Sequence, residues 1–263
     1  MELIQGVRTK VVLTSLTKGA VRVPLAQSFN YTPKITQRDI NEFDNLEVAQ
    51  IITSFDGVDI SFDYLDSNSK LVDAMFADVD PASAVVLDDP SNYKMVNVFA
   101  NMKGIDTGLI VSSVLAKACR AKGSPYTEPV KEEAKVTRDL AGTNVIKVKG
   151  AAILYTRILA SVPDADVYEQ SIPPNAYLDK KLAGYSGWSG YSGFSGSSGY
   201  SGAKVSFDKT LVPYNGASGY DFWVLKNGEE VTLGYTMTST AFEVTDEPLD
   251  TDVWEVFGLY VDA

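Results

Sequence analysis

The 263-residue sequence predicts a mainly β protein, an antiparallel β-sandwich with one short flanking helix, followed by a small C-terminal all-β domain. Three observations predict it. In "VDISFDY" Val58, Ile60, Phe62 and Tyr64 alternate with Asp59, Ser61 and Asp63, a period of two that puts one face of a strand in a core and the other in water. In "FWVLKNGEEVTL" Asn227 and Gly228 lie between apolar runs, the strongest short hairpin signal a sequence offers. Helical periodicity is clear in one short stretch, "DSNSKLVDAMFADVDP".

In chain order, "AVRVPLAQSFNYT" reads as a half-buried strand with Val21, Val23 and Leu25 on one side, and Pro24 suits an edge or an irregular point. The helix has Ser67 or Ser69 as N-cap and a stripe of Leu71, Val72, Met75 and Phe76, and Pro81 marks its end. Strand-like "SAVVLDD" and "YKMVNVFANM" come next, and then "GLIVSSVLAKAC", an apolar run whose type periodicity does not settle. "VKEEAKVTRDL" has a helical composition, but Ala134, Val136 and Leu140 fit alternate positions, so a strand or extended arm is the preferred reading. "VIKVKGAAILYTRI" carries Ile146, Val148, Ala152 and Leu154 on one face and Lys147, Lys149 and Arg157 on the other. Opposite charge to Asp59 and Asp63 would favour register if those two strands were neighbours; otherwise each is simply a solvated strand face. "AFEVT" and "WEVFGLYV" supply the last strands.

This divides the chain into a unit at 1–183, a linker at 184–202 and a small β unit at 203–263. The first is long enough to bury roughly 70% of its unfolded surface, while the last falls in the size range of marginal lone domains. The linker, "GYSGWSGYSGFSGSSGYSG", has glycine at every third position and the aromatic anchors Tyr185, Trp188, Tyr191, Phe194 and Tyr200 in the remaining slot. It lacks the proline a collagen helix needs. As a flexible coil it would reach about 24 Å, and as an extended threefold strand about 59 Å, with its rings along one edge. A docked strap, a loose linker and a partner-binding or carbohydrate-binding aromatic row all fit this pattern.

Composition removes many function classes. With no histidine, Ser-His-Asp and Cys-His nucleophile systems and His-ligated metals are impossible. A single cysteine, Cys119, forms no intrachain disulfide or Cys-rich zinc site and reads as a small buried hydrophobe. The acidic pairs Asp78/Asp80, Asp88/Asp89 and Asp164/Asp166 show no glycosidase arrangement, and Asp250, Asp252 and Glu255 lack the calcium-loop pattern. No phosphate-binding glycine loop and no GxSxG elbow occur, so neither enzymatic chemistry nor a cofactor or metal is expected. No apolar run reaches membrane-spanning length, and the N-terminal residues lack a secretion-signal core, so a soluble protein made in the cytosol is expected. The formal charge is −11, with eleven acids against Lys204, Lys209 and Lys226 after the repeat. Such a balance argues against a tight, sequence-independent grip on phosphates.

The alternating early strands, the passage "FDGVDISFDYLDSNSKLVDAMF", the stretch "GSPYTEPVKEEAKVTRDLAG" and the late strand "VIKVKGAAILYTR" together make residues 1–165 resemble the major tail tube proteins of long-tailed bacteriophages. "GYSGWSGYSGFSG" is similar to connectors of phage virion proteins. The resemblance implies a virion structural protein assembled in the host cytoplasm: a tail-tube-like sandwich forming homo-oligomeric rings, usually hexamers, that stack into a hollow tube. It also implies tail terminator, tape-measure and baseplate proteins as partners, viral DNA that passes without specific binding, no membrane, and residues 203–263 as an outer decoration. Asp59 and Asp63 are then the candidates for facing the lumen. The rival reading is a carbohydrate-binding or adhesion module using the aromatic row and Trp223 and Trp254 for ring stacking.

Overall fold

The computed structural model describes residues 10–17, 19–23, 26, 28–41, 48–65, 69–78, 93–104, 108–123, 126–127, 135–159, 179–181, 204–207, 209–214, 219–245 and 251–261. The elements are β1 (Lys10–Ser15), β2 (Gly19–Arg22), β3 (Ser28–Asn41), β4 (Val48–Leu65), α1 (Ser69–Ala77), β5 (Val96–Lys103), β6 (Ile110–Gly123), β7 (Tyr126–Thr127), β8 (Lys135–Gly142), β9 (Asn144–Lys149) and β10 (Ala152–Leu159). The C-terminal half adds β11 (Asp179–Lys181), β12 (Lys204–Ser206), β13 (Trp223–Lys226), β14 (Glu229–Glu230), β15 (Tyr235–Met237), β16 (Ala241–Val244) and β17 (Val253–Tyr260).

One sheet runs β2-β1-β5-β6-β8-β4-β3, with β9 added to β6 and β7 to β8. Its bend lies in β6. Residues Ser112 to Lys117 pair with β9, whereas Arg120, Ala121 and Gly123 pair with β8, and between them Ala118 adopts the left-handed conformation at φ 49°. That bulge turns the strand, and with it the sheet, around a first core. Val11 and Leu13 of β1, Val98 and Ala100 of β5, Val58, Ile60, Phe62 and Tyr64 of β4, and Val136 and Leu140 of β8 all point into it. Helix α1 adds Val72, Met75 and Phe76, three residues of the stripe read from sequence. Cys119 is also there, and burial pushes its thiol up to about 12.

Alternation then builds a second core on the opposite face of β1, β5 and β6. Val12, Phe99 and Leu115 meet Ile153 and Tyr155 of β10, Trp223 and Leu225 of β13 and Phe257 and Leu259 of β17. These last strands form a second sheet, β11-β10-β17-β13-β14. Its far face supplies Ile158, Val224, Trp254 and Val256 to a third core, against Phe242 and Val244 of the three-stranded sheet β12-β16-β15. Strands β10, β13 and β17 are covered on both faces. Their sequences are therefore apolar runs and not alternating patterns.

Two local readings change. "AVRVPLAQSFNYT", read as one strand, spans the end of β2 at Arg22 and the start of β3 at Ser28. "VIKVKGAAILYTRI" is two strands, because Gly150 turns at φ 73° and β9 pairs with β6 while β10 pairs with β17 along eight residues. The turn resets the parity, so Ile153 and Tyr155, not Ala152 and Leu154, share the second core with Ile146 and Val148. Arg157 is correspondingly buried and donates from Nη2 to the Thr17 carbonyl at 2.9 Å. "GLIVSSVLAKAC" and the end of "VKEEAKVTRDL" both lie in strands, β6 and β8. Asn227 and Gly228, at φ 53° and 86°, form the hairpin turn read from sequence.

The pairing of β10 with β17 means that a strand from the 1–183 stretch and one from 203–263 share a sheet. The side chain of Asn101 strengthens this join by imitating a strand: its Nδ2 donates to the Ile153 carbonyl at 3.0 Å and its Oδ1 accepts from the Ile153 amide at 2.9 Å. Phe257 stands at the centre of the second core, with ring centroids 4.7 Å from Trp223, 5.0 Å from Tyr155 and 6.3 Å from Phe99. We expect Phe257→Ala to cost about 3–5 kcal/mol, the usual range for a fully buried phenylalanine. Because the core is shared, urea unfolding monitored by far-UV circular dichroism should still show one transition, shifted as a whole.

Candidate functional site

The face of β3, β4, β8 and β6 that points away from the first core is polar except for Ala141. On β4 the outward residues are Asp59, Ser61 and Asp63; on β8 they are Lys135, Thr137, Asp139 and Ala141. Strand β3 contributes Ser28, Asn30, Thr32 and Lys34, and β6 contributes Arg120 and Lys122. The same period of two that fills the core with Val58, Ile60, Phe62 and Tyr64 places these groups in water.

Asp59 and Asp63 thus stand on one face, four residues apart on one strand, or about 13 Å at the rise of a β-strand. Their neighbours are β3 and β8, not the Lys147/Lys149 strand. Asp59 is paired with two lysines, Lys122 and Lys34, the latter at 3.0 Å. Those bonds, Lys122 first and Lys34 second, hold its carboxyl below the usual range, and the Asp59 bond in turn raises Lys34. Asp63 is more enclosed. Burial alone would raise it, but Lys135 at 2.8 Å and the hydroxyls of Thr137 and Ser28, each donating at 2.7 Å, outweigh that and bring it down. Behind this face Arg138 is turned into the core, where its Nε donates to the Tyr64 hydroxyl at 3.0 Å and its Nη2 pairs with Asp73 of α1. The helix is thereby tied to the sheet that carries both aspartates.

A second feature extends from the same strands. The pairing of β4 with β8 ends at Val58, but β3 and β4 continue together from Ile35/Phe55 to Asn41/Val48 as a two-stranded ribbon. A bulge between Lys34 and Ile35 marks the departure, with Asp56 held by the Thr36 hydroxyl and, at 3.1 Å, by that of Ser54. Gly57 is required there: its φ is 114°, and a Cβ would stand 2.7 Å from the Gly142 carbonyl oxygen. Ile35 and Phe55 are directly opposite each other on the ribbon and are 61% and 46% exposed. Among the described residues β3 is also the last strand of its sheet; Pro33, which has no N–H to offer, suits that edge.

Sequence reasoning named the two aspartates but missed Lys34, Lys122 and Lys135, which lie far away in the chain, and the ribbon with its Ile35–Phe55 pair. The signal for the ribbon was the glycine in "FDGVDI". The aromatic anchors Tyr185, Trp188, Tyr191, Phe194 and Tyr200 lie outside the described residues. Trp223 and Trp254 are closed off at 7% and 1% exposure, so neither offers a ring face to a glycan. Among the described residues no cluster of His, Cys, Asp or Glu suits a metal ion, and no helix is long and apolar enough to cross a membrane.

No family model matches the sequence, and no curated protein matches it. Among solved structures the chain is similar to the tube-terminating cap of the anti-feeding prophage, with a TM-score of 0.38 and 11% identity over 57% of this chain and 93% of that one. It is also similar to the SPP1 tail tube (TM-score 0.36, 11% identity, 56% and 80% covered) and to Hcp1 from Salmonella typhimurium (TM-score 0.32, 10% identity, 54% and 87% covered). At these scores the likeness is loose, and the functional reading rests on the geometry of the chain itself.

Both aspartates should titrate below the ordinary aspartate value of about 3.9 when monitored by carboxyl carbon NMR. Because fewer protons bind in the folded state, their contribution to stability is present above the unfolded value and fades as pH falls through the lower folded value. For Asp59, 40% exposed, solvent keeps that contribution small. In a Lys34→Gln/Lys122→Gln double variant the Asp59 midpoint should return to the ordinary range while that of Asp63 stays low.

Proposed function

We propose that this protein is a structural subunit that assembles with copies of itself into rings, six-membered as in the family it resembles, stacked into the tail tube of a long-tailed bacteriophage. It performs no chemistry. Its product is a bore through which viral DNA leaves, and its partners are the tail terminator, tape-measure and baseplate proteins that close and measure the tube.

The β3–β4 ribbon carries this reading. An isolated two-stranded ribbon is at best marginally stable in water, yet this one holds an Ile35–Phe55 pair outside the three cores of the described residues. A second copy that receives this arm would bury the pair and supply the packing the ribbon lacks. The outer edge of β3 supports the same view, since a long edge strand invites pairing with another chain.

The order of the layers supports an orientation. The polar face bearing Asp59 and Asp63 lies at one end of the stack, and the sheets built largely from residues 203–263 lie at the other. With the polar face on the bore, the C-terminal layers fall on the outside of the tube. A wall without apolar patches has nothing for the DNA bases to adhere to, and its fixed charges decide whether the backbone slides or stalls.

Negative-stain microscopy of the purified protein should show rings or hollow rods. Ile35→Asp and Phe55→Asp should leave the protomer folded, with an unchanged melting curve, but abolish the rods. A protein that stays monomeric at every concentration in light scattering would overturn the proposal.

A further inference from the structure

Among its described residues the polar face carries more cations than acids. Lys34, Arg120, Lys122 and Lys135 stand against Asp59, Asp63 and Asp139. This differs from the acidic lining that Asp59 and Asp63 alone suggest, and it raises a physical difficulty. Each cation free to neutralise a phosphate contributes about 0.9 to the salt dependence of DNA binding. Repeated around a ring, an array of free lysines would stall a polyanion.

The pairing pattern resolves the difficulty. Asp59 holds both Lys34 and Lys122, and Asp63 holds Lys135. The three lysine side chains are 45%, 42% and 42% exposed, so without these partners each could reach a phosphate. Ion pairs this exposed add little to stability, so the fold itself does not call for two lysines on one carboxylate. What they change is the surface. The pairs leave a net charge of +1 on the described residues of this face, four cations against three acids, in place of three open lysines. Beyond a Debye length of about 8 Å at physiological salt that remainder is largely screened.

Resting on the reading of this face as the wall of a DNA conduit, we infer that Asp59 and Asp63 are built-in counterions that occupy Lys34, Lys122 and Lys135 and thereby keep duplex DNA from binding. The aspartates act less by repelling phosphate than by competing with it for the lysines. Removing a carboxylate should do more than remove one negative charge: at Asp59 it frees two lysines together.

The test uses the full chain and a short fluorescein-labelled DNA duplex, with fluorescence anisotropy read across a salt series and microscopy of the same samples. Asp59→Asn should tighten binding by about tenfold at low salt and steepen the salt dependence by about 2, one increment for each released lysine. Asp221→Asn, which makes the same charge change at an exposed acid of the C-terminal layers, should do neither. Asp59→Asn/Lys34→Gln/Lys122→Gln should return to the wild-type curve. Asp63→Asn should steepen the dependence by about 1, with a melting curve to establish that it is folded. The inference is overturned if Asp59→Asn binds no more tightly than Asp221→Asn or leaves the salt dependence unchanged. If the variant tightens but microscopy finds no rings or rods, the counterion role stands and the conduit reading falls; if rods form without tightening, the conduit reading stands and the counterion role falls.

Discussion

Strand β6 has to belong to both halves of one sheet, and the left-handed turn at Ala118 is what allows it. Before the turn the strand stands between β5 and β9, and after it the strand pairs with β8. A flat sheet of this width would leave two broad faces to cover. Folding it along β6 brings β1 and β5 over β4 and β8 and closes the first core between them. The two outer faces are then free to differ, and they do: one is apolar and covered by the second sheet, while the other is polar and faces water.

On the covered side the C-terminal strands share a sheet with β10. Strand β10 contributes Ile153 and Tyr155 to the core beneath it and Ile158 to the core above. Around it, several polar groups find partners within the layers, although among the described residues Arg157 Nε and the indole N–H groups of Trp223 and Trp254 are buried without one. Asn101 pairs with the backbone of Ile153, Tyr155 donates its hydroxyl to Glu255 at 2.9 Å, and Arg157 reaches the Thr17 carbonyl. Burial raises Glu255, while the Tyr155 bond and the Arg157 charge oppose that rise. A separate module of 203–263 would lose β10, and β17 would lose its partner along eight residues.

The open side has the opposite logic. Its aspartates close their lysines into pairs, and the strands that carry them run on into a ribbon whose apolar pair lies outside the cores of the described residues. Under the proposed function both features serve other molecules. In that reading, lysines held by their own carboxylates suit a polyanion that must pass, and a ribbon with an exposed apolar pair suits a neighbour that must stay.

By itself the sequence determined the features that local periodicity dictates: the half-buried β4 with Asp59 and Asp63 on its wet face, the α1 stripe of Val72, Met75 and Phe76, the Asn227–Gly228 turn, and the buried role of Cys119. These depend on residues within a few positions of one another, where the repeat of two or the repeat of 3.6 is written directly. Only the tertiary structure decided which strands became neighbours. Lys122 and Asp59 are 63 residues apart, and β10 and β17 are separated by most of the C-terminal half, so no local pattern announces either contact. The central strands also hid their place, because a strand buried on both faces loses the alternation that would reveal it. The physical reason is the same in each case: periodicity records whether a side chain meets water or protein, but not which protein surface it meets.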